Sequence, residues 1–345
     1  MKPYLEAALA GKSLSRLEAR ALIQALMVYL DDENAPREPV SALLVALRLK
    51  QETALELSGF LDGFSVHAVK FDQSVALAFP ELMDVCGTGG DGLRTFNVST
   101  AVALVLASLG VTIAKHGNRG VLSSSGSSDV LEALGLKSQL TPAEAIQSLQ
   151  NFRAAFIHAP AFHPALAKIS KLRKNLGVST FFNALGPVLN PAPISFQLMG
   201  VYQSSLIEKI AEVFRLKGLK NAWVVHGEDG LDEFTLNGAT RIAQIKSGMI
   251  SLETLAPEDF GLTRSSLNAA VVRDSTESAM AIRNVFAGEH SVRRDLVLIN
   301  TAAALMVAGK SSTPRDAVAM ASGAIDSGAT LHLLNLMQKS QRRYA

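Results

Sequence analysis

The sequence predicts an α/β protein, with a small N-terminal helical domain and a larger α/β domain whose mostly parallel central sheet is flanked by helices. Three observations carry this expectation. Apolar residues recur at helical spacing near the N-terminus, strand-like apolar runs alternate with amphipathic segments after it, and a glycine-rich turn directly precedes a helical segment.

Ser15 and Glu18 form a capping-box pattern, and Ile23, Leu26, Met27 and Leu30 follow at helical spacing. The proline-bearing stretch 31–39 ends that helix. Val40, Leu43, Leu44 and Leu47 mark a second, and Thr53 with Glu56 caps a third whose apolar face carries Leu57, Phe60 and Leu61. Three such helices are marginal alone and must dock on the rest of the chain. Composition shifts across 69–80, and strand-like runs then appear at 111–114, 155–159, 196–202, 223–226 and 241–245. Ligands on such sheets gather at the carboxyl ends of the strands.

The stretch 84–132 holds the strongest chemical signal. Gly87, Gly89, Gly90 and Gly92 allow a tight turn and close approach to a ligand, directly before a helical run at 101–109 fronted by Asn97, Ser99 and Thr100. The amides at that helix start favour an anion. The strand 111–114 then delivers Lys115, His116, Gly117, Asn118 and Arg119 into a loop, followed by Ser123, Ser124, Ser125, Ser127 and Ser128. Cations, hydroxyls and a glycine turn at successive strand ends make a phosphate cradle.

Composition limits the partners. At 345 residues, 48% hydrophobic and 19% charged, the chain can bury a sizeable core; its net charge of +2 argues against a general nucleic-acid binder, so phosphate recognition is local. Cys86 is the one cysteine, which rules out an intrachain disulfide, suits a reducing compartment and reads as a small buried residue rather than a nucleophile. The start MKPYLEAALAGKS lacks the apolar core of a signal peptide. Residues 95–114 are uncharged, yet Asn97, Ser99, Thr100 and Gly110 interrupt them. A soluble, cytoplasmic protein without a membrane partner is expected.

Two further groups stand out. In 156–191, His163, Arg173, Asn183 and Gly186 interrupt an otherwise apolar sequence. An arginine among apolar side chains suits a flat substrate with one carboxylate, and a solvated helix face is the other reading. His158 and His163 are either acid–base groups or hydrogen-bonded structure. In HGEDGLDEF, 226–234, the carboxylates Glu228, Asp229, Asp232 and Glu233 crowd a glycine-containing loop at a strand end. Such crowding requires a shared cation or good solvation; the adjacent pair Asp232 and Glu233 is the best candidate for magnesium, and a solvated acidic turn is the alternative.

The ordered segments GTGGDG, FNVST, KHGNRG, SSDVLEALG, HPA, LRKNLG, NALGPVLNP and HGEDGLDE resemble the signature of the anthranilate phosphoribosyltransferases, and the likeness extends from LRLKQET to RDLVLINTAAALMVAGK. The resemblance implies transfer of a phosphoribosyl group from 5-phosphoribosyl 1-diphosphate (PRPP) to anthranilate, the second step of tryptophan biosynthesis from chorismate. It implies a homodimer formed through the helical part, with the active site between the domains. The implied division is 1–71, completed by about 164–187, against 72–163 and 188–345.

The implied PRPP-binding positions are Gly87, Gly90, Asp91, Thr95, Asn97, Val98, Ser99, Thr100, Lys115, His116, Gly117, Asn118, Arg119, Gly120, Val121, Leu122, Ser123 and Ser127. Ser99, Asp232 and Glu233 match ligands of Mg2+. Gly87, His116, Asn118, His163 and Arg173 match the anthranilate side, and Lys115, Arg173, Asp232 and Glu233 are the implied catalytic residues. Leu122, Ser179 and His158 stand where serine, arginine and phenylalanine are frequent, and Leu172 where valine is. Two alternatives are a pyrimidine nucleoside phosphorylase, which should lack the GTGGDG to FNVST spacing and the DGLDE pair, and a non-catalytic nucleic-acid-binding relative, which should be more basic.

Overall fold

The computed structural model describes residues 1–119 and 126–342. Its helical part comprises α1 (Lys2–Leu9), α2 (Arg16–Asp31), α3 (Glu38–Lys50) and α4 (Ala54–Ser65). Both expected capping boxes are present, Ser15 with Glu18 and Thr53 with Glu56. Glu56 is buried and also accepts from Leu14 N at 2.9 Å and from Lys50 Nζ at 2.6 Å, so one carboxylate ties the lead-in to α2, the end of α3 and the start of α4. Helices α2 and α4 approach closely at two glycines. A Cβ on Gly59 would lie 2.3 Å from the Arg16 carbonyl oxygen, and one on Gly63 would lie 2.6 Å from Ile23 Cβ. The first helix escapes sequence reading because it buries only Ala8, which leaves little periodic signal.

The chain continues through α5 (Gln73–Ala78), β1 (Met83–Gly87), α6 (Val98–Ser108), β2 (Ile113–Gly117), α7 (Ser127–Ala133), α8 (Pro142–Phe152), β3 (Ala154–His158), α9 (Ala159–Phe162), α10 (Pro164–Leu176) and α11 (Phe181–Leu185). Then come β4 (Phe196–Gly200), α12 (Ile207–Lys217), β5 (Asn221–Gly227), β6 (Thr240–Lys246), β7 (Met249–Leu255), α13 (Ser275–Phe286), α14 (Val292–Val307), α15 (Pro314–Asp326) and α16 (Ala329–Arg342).

The sheet order is β3-β2-β1-β4-β5-β6-β7. Strands β1 to β5 are parallel, while β6 and β7 add an antiparallel edge. That edge strand β7 is almost wholly exposed, so it lacks the apolar alternation that sequence reading needs. The strand expected at 111–114 is shifted: Lys115, His116 and Gly117 belong to β2 itself and pair with Phe156, Ile157 and His158 of β3. The expected loop therefore starts later, because buried partners for Lys115 and His116 make strand positions tolerable for polar side chains.

Side chains alternate between two apolar cores. Met83, Val85, Leu198, Trp223 and Val225 join α6 and α14 on one face, whereas Cys86, Ala114, Met199 and Val224 join α2, α4 and α12 on the other. The second core is continuous with the helical part, which is how a marginal bundle gains its stability. Helices α10 and α11 pack there too, with Phe181 at 4.5 Å from Phe60 and Phe182 at 5.3 Å from Phe64, centroid to centroid. Since β1 lies between β2 and β4, the crevice outside their carboxyl ends is the topological switch point of the sheet. No helix among the described residues is long and apolar enough to cross a membrane.

Candidate active site

At that switch point the register partners Gly87 and Gly200 end β1 and β4. Both must be glycine for one reason: Asp232 fills the space in front of them. A Cβ on Gly87 would lie 2.3 Å from Asp232 Oδ2, and one on Gly200 would lie 1.5 Å from the Asp232 carbonyl oxygen. The glycine turn closes onto the same carboxylate, since Gly89 N donates to Asp232 Oδ2 at 2.6 Å. Gly89, Gly90 and Gly92 have φ of +65°, +84° and +76°, the left-handed region that glycine enters without strain.

The acidic loop divides its four carboxylates. Asp229 accepts from Thr235 Oγ1 at 2.7 Å and Glu228 from Ala239 N at 3.0 Å, so both close the loop locally. Asp232 and Glu233 are buried in the crevice. Burial first, then repulsion from Asp91 for Asp232 and from Asp232 for Glu233, holds both carboxyls well above the usual carboxylate range. Asn300 of α14 fixes the following residue at both ends, accepting from Phe234 N at 2.8 Å and donating to Phe234 O at 3.0 Å.

Lys115 reaches the crevice from β2. Its Nζ donates to Val85 O at 2.7 Å and to Ser99 Oγ at 3.0 Å, and its charge favours the ionised form of Glu233. Helix α6 begins at Val98, earlier than expected, and Asn97 makes no side-chain cap to it. Ser278 pins Asn97 instead, accepting from its amide and donating to its Oδ1, both at 2.9 Å. Thr100 Oγ1 is buried without a partner among the described residues, Asp91 accepts from Leu93 N at 3.1 Å, and Thr95 pairs with Val271 as an isolated bridge.

The expected phosphate loop is only partly visible. Gly120, Val121, Leu122 and Ser123 lie outside the described residues, as do Ser124 and Ser125. Arg119 is turned to α7, where Asp129 at 3.0 Å and Glu132 hold its guanidinium. Asn118 folds onto its own turn: Oδ1 accepts from Arg119 N at 2.8 Å, and its carbonyl accepts from Ser127 Oγ at 3.2 Å. Ser127 Oγ also explains Gly117, whose Cβ would lie 2.1 Å away. His158, at the end of β3, meets Ser128 Oγ at 2.9 Å, and burial lowers its basicity.

On the acceptor side, Arg173 is half-buried in the last turn of α10 with its guanidinium 4.7 Å from the centre of the Phe182 ring. Desolvation is the one cause that lowers its pKa, with no carboxylate opposing it. The cation thus rests against an aromatic ring rather than standing fully in solvent. His116 and His163 stack edge to face at 5.5 Å. Burial pushes His116 down to about 3 and also lowers His163, so both rings are neutral near pH 7. Cys86 is buried, accepts from Gln197 Nε2 at 3.2 Å, and burial pushes its thiol up, as expected for a structural residue.

Sequence reading missed Gly200, Asn300, Ser278, Asp84 and Asn190 as contributors. A polar residue inside an apolar strand, such as Asp84 in 82–86, was the available signal. A cavity of about 520 Å3 opens beside the acceptor side, lined by Phe71, Leu77, His163, Leu189, Asn190 and Pro191 among others, and no glycine-turn residue contributes to it.

The magnesium expectation can be tested on the side chains themselves. Two buried carboxylates held above their ordinary range, beside Ser99 and a glycine turn, fit a divalent cation. Among the described residues no three His, Cys, Asp or Glu side chains form a complete metal site. Magnesium needs none, because it commonly takes one or two carboxylates and completes its shell with water and phosphate.

Comparison with known proteins converges on one family. Residues 79–331 match the glycosyl transferase family a/b domain, and residues 2–67 match the helical bundle domain of that family. The anthranilate phosphoribosyltransferase of Moorella thermoacetica is 42% identical over 98% of this chain and 97% of its own length. The crystal structure of the Thermus thermophilus enzyme superposes with a TM-score of 0.88 at 33% identity, covering 98% of this chain and 99% of that one. The Saccharomyces cerevisiae enzyme in complex with PRPP and Mg gives 0.89 at 27% identity, covering 98% and 96%, and it is also solved with 4-fluoroanthranilate. With the switch-point crevice, its paired acids and a match over nearly the full length in agreement, the chain belongs to the anthranilate phosphoribosyltransferase family.

Proposed function

We propose that this chain transfers the 5-phosphoribosyl group of PRPP to the amine of anthranilate, releasing diphosphate and forming N-(5-phosphoribosyl)anthranilate, in tryptophan biosynthesis. The observation that carries this reading is the crevice in which Asp232 and Glu233 meet the glycine turn and Lys115. Asp232 and Glu233, with Ser99, would hold Mg2+, which supplies charge neutralisation for the departing diphosphate. The α6 N-terminus and Lys115 add positive potential where the leaving group gathers negative charge. Arg173 binds the anthranilate carboxylate, and the neutral histidines His116 and His163 flank the ring with Asn118. No protein nucleophile is needed, since a neutral aromatic amine held within about 3 to 3.5 Å of ribose C1 can attack directly.

The acid pair counts against a nucleoside phosphorylase, and the net charge of +2 against a nucleic-acid-binding relative. The domain division 1–71 with 164–187, against 72–163 and 188–345, belongs to the same reading and is supported by the packing of Phe181 and Phe182 on α4. So does a homodimer formed through the helical part, where Leu17, Val28 and Leu49 stand 77%, 72% and 77% exposed. The proposed location is the cytoplasm, where the Cys86 thiol stays reduced. The test is the loss of anthranilate fluorescence with PRPP and Mg2+ together. Consumption that needs the protein, PRPP and Mg2+ supports the reading, and none by folded protein overturns it.

A further inference from the structure

Five consecutive positions, 186–190, form a strap whose every residue is held by a side chain from elsewhere in the fold. The Gly186 carbonyl faces His116 Nδ1 at 3.1 Å, and the Pro187 carbonyl accepts from Gln197 Nε2 at 3.0 Å. The Val188 carbonyl accepts from Lys217 Nζ at 2.8 Å, and the Leu189 carbonyl faces His163 Nε2 at 2.7 Å. Asn190 Nδ2 donates to Asp84 Oδ2 at 2.9 Å and to Ala114 O at 2.7 Å. Asp84 completes a ring of contacts, because its Oδ1 accepts from the backbone N of His116 at 3.2 Å. Asp84 and Asn190 are both buried.

The ring of contacts fixes protons as well as atoms. A carbonyl oxygen can only accept, so His116 must carry its proton on Nδ1 and His163 on Nε2. The Nε2 of His116 is then a lone-pair acceptor, buried and without a partner among the described residues. An aromatic amine N–H is the chemical complement of that atom.

We propose that Asp84 and Asn190 are positioning residues for the acceptor half of the reaction: they clamp the strap, and the strap holds His116 and His163 as neutral rings in opposite tautomers. This rests on the transferase reading above. Neither residue touches the reacting groups; each acts through the histidines. Asp84 also faces the charges of Lys115 and Lys217, so a variant at Asn190 separates the clamp from the donor side more cleanly than one at Asp84.

The first experiment is nitrogen-15 NMR of the histidine side chains in the full-length protein near pH 7, with signals assigned through His116→Gln and His163→Gln. The expected result is an Nδ1–H tautomer for His116 and Nε2–H for His163; either ring in the other form overturns the proposal, whether or not the protein turns over anthranilate. The second is Asn190→Ala, with folding checked by circular dichroism. Loss of a buried hydrogen bond to a charged group should raise the KM for anthranilate roughly tenfold and that for PRPP by less than about twofold. Equal rises overturn the proposal. If Asn190→Ala does not fold, the tautomers decide. A wild-type protein that ignores anthranilate but shows both tautomers sinks the transferase reading while leaving the strap in place.

Discussion

At the proposed donor crevice Asp91 and the buried Asp232 and Glu233 repel one another, whereas the proposed acceptor side carries Arg173, with no carboxylate paired to it among the described residues, and two neutral histidines. The acids of the crevice pose a charge problem that, on the proposed function, a metal and a polyphosphate would solve together. The acceptor half holds its rings by hydrogen bonds to carbonyls and keeps its guanidinium against Phe182. On the proposed function one side would be completed by its ligands, whereas the other is largely formed beforehand. Perturbations should therefore act differently on the two.

The largest effect is expected from Asp232→Asn combined with Glu233→Gln. Removing groups that stabilise transition-state charge costs on the order of 10²- to 10³-fold in kcat. Removing mutual repulsion should simultaneously raise the Tm of the magnesium-free protein. Steady-state kinetics and thermal unfolding of the same variant check both, and unchanged turnover would take the acid pair out of the mechanism. Next comes Arg173→Ala, which should raise the KM for anthranilate roughly 10- to 100-fold, the worth of a charged hydrogen-bonded pair, with little change for PRPP. Arg173→Lys should restore only part, because an ammonium lacks the planar fork. Similar losses for both substrates would erase the distinction between the halves.

Smaller effects test the glycines. Gly200→Ala drives a Cβ into the Asp232 backbone, so it should cost about 1–3 kcal/mol of stability and also depress turnover. Gly248→Ala in the β6–β7 hairpin, with φ +77° and open space around it, should cost about 1–2 kcal/mol through backbone strain and leave kcat unchanged. Denaturant midpoints and kcat for the two variants separate close approach from strain. Equal activity in both would show that the Gly200 contact does not position Asp232.

Legibility in the sequence followed the range of the interactions. The capping boxes at Ser15 and Thr53 were readable because both partners lie within four residues, and the parallel strands because burial of both faces leaves short apolar runs. Asp232 and Glu233 stood out as an acidic pair after a strand. The strap 186–190 did not, since its partners Asp84, His116, His163, Gln197 and Lys217 are scattered over more than a hundred positions and only folding brings them together. The contacts of Arg119 with Asp129 and Glu132 were not legible either, because residues ten and thirteen positions apart meet only once α7 is placed.

The smallest effect concerns pH, and the buried acids and the buried His116 carry opposite signs. The raised carboxyls of Asp232 and Glu233 make the folded protein bind more protons than the unfolded chain above the ordinary carboxyl range, so metal-free stability falls as pH rises through that window. Asp84, pushed up to about 6 by burial, adds to this loss at the acid end of the window. For His116, lowered to about 3, the unfolded chain binds the extra proton between that value and the ordinary histidine pKa of about 6.5, and stability falls as pH falls. On the acid limb, below about pH 6.5, the two contributions oppose each other, and on the alkaline limb above it only the acids act, so wild-type Tm should fall with rising pH most clearly on the alkaline limb. His116→Gln should remove the opposing contribution and make Tm fall more steeply with rising pH on the acid limb, the Asp232→Asn, Glu233→Gln pair should flatten the alkaline limb, and millimolar Mg2+ should do the same to the wild type by binding the ionised acids. Thermal melts at pH 4 to 8 decide it: if His116→Gln leaves the acid limb unchanged, the buried neutral ring is not what separates the acceptor side from the donor side.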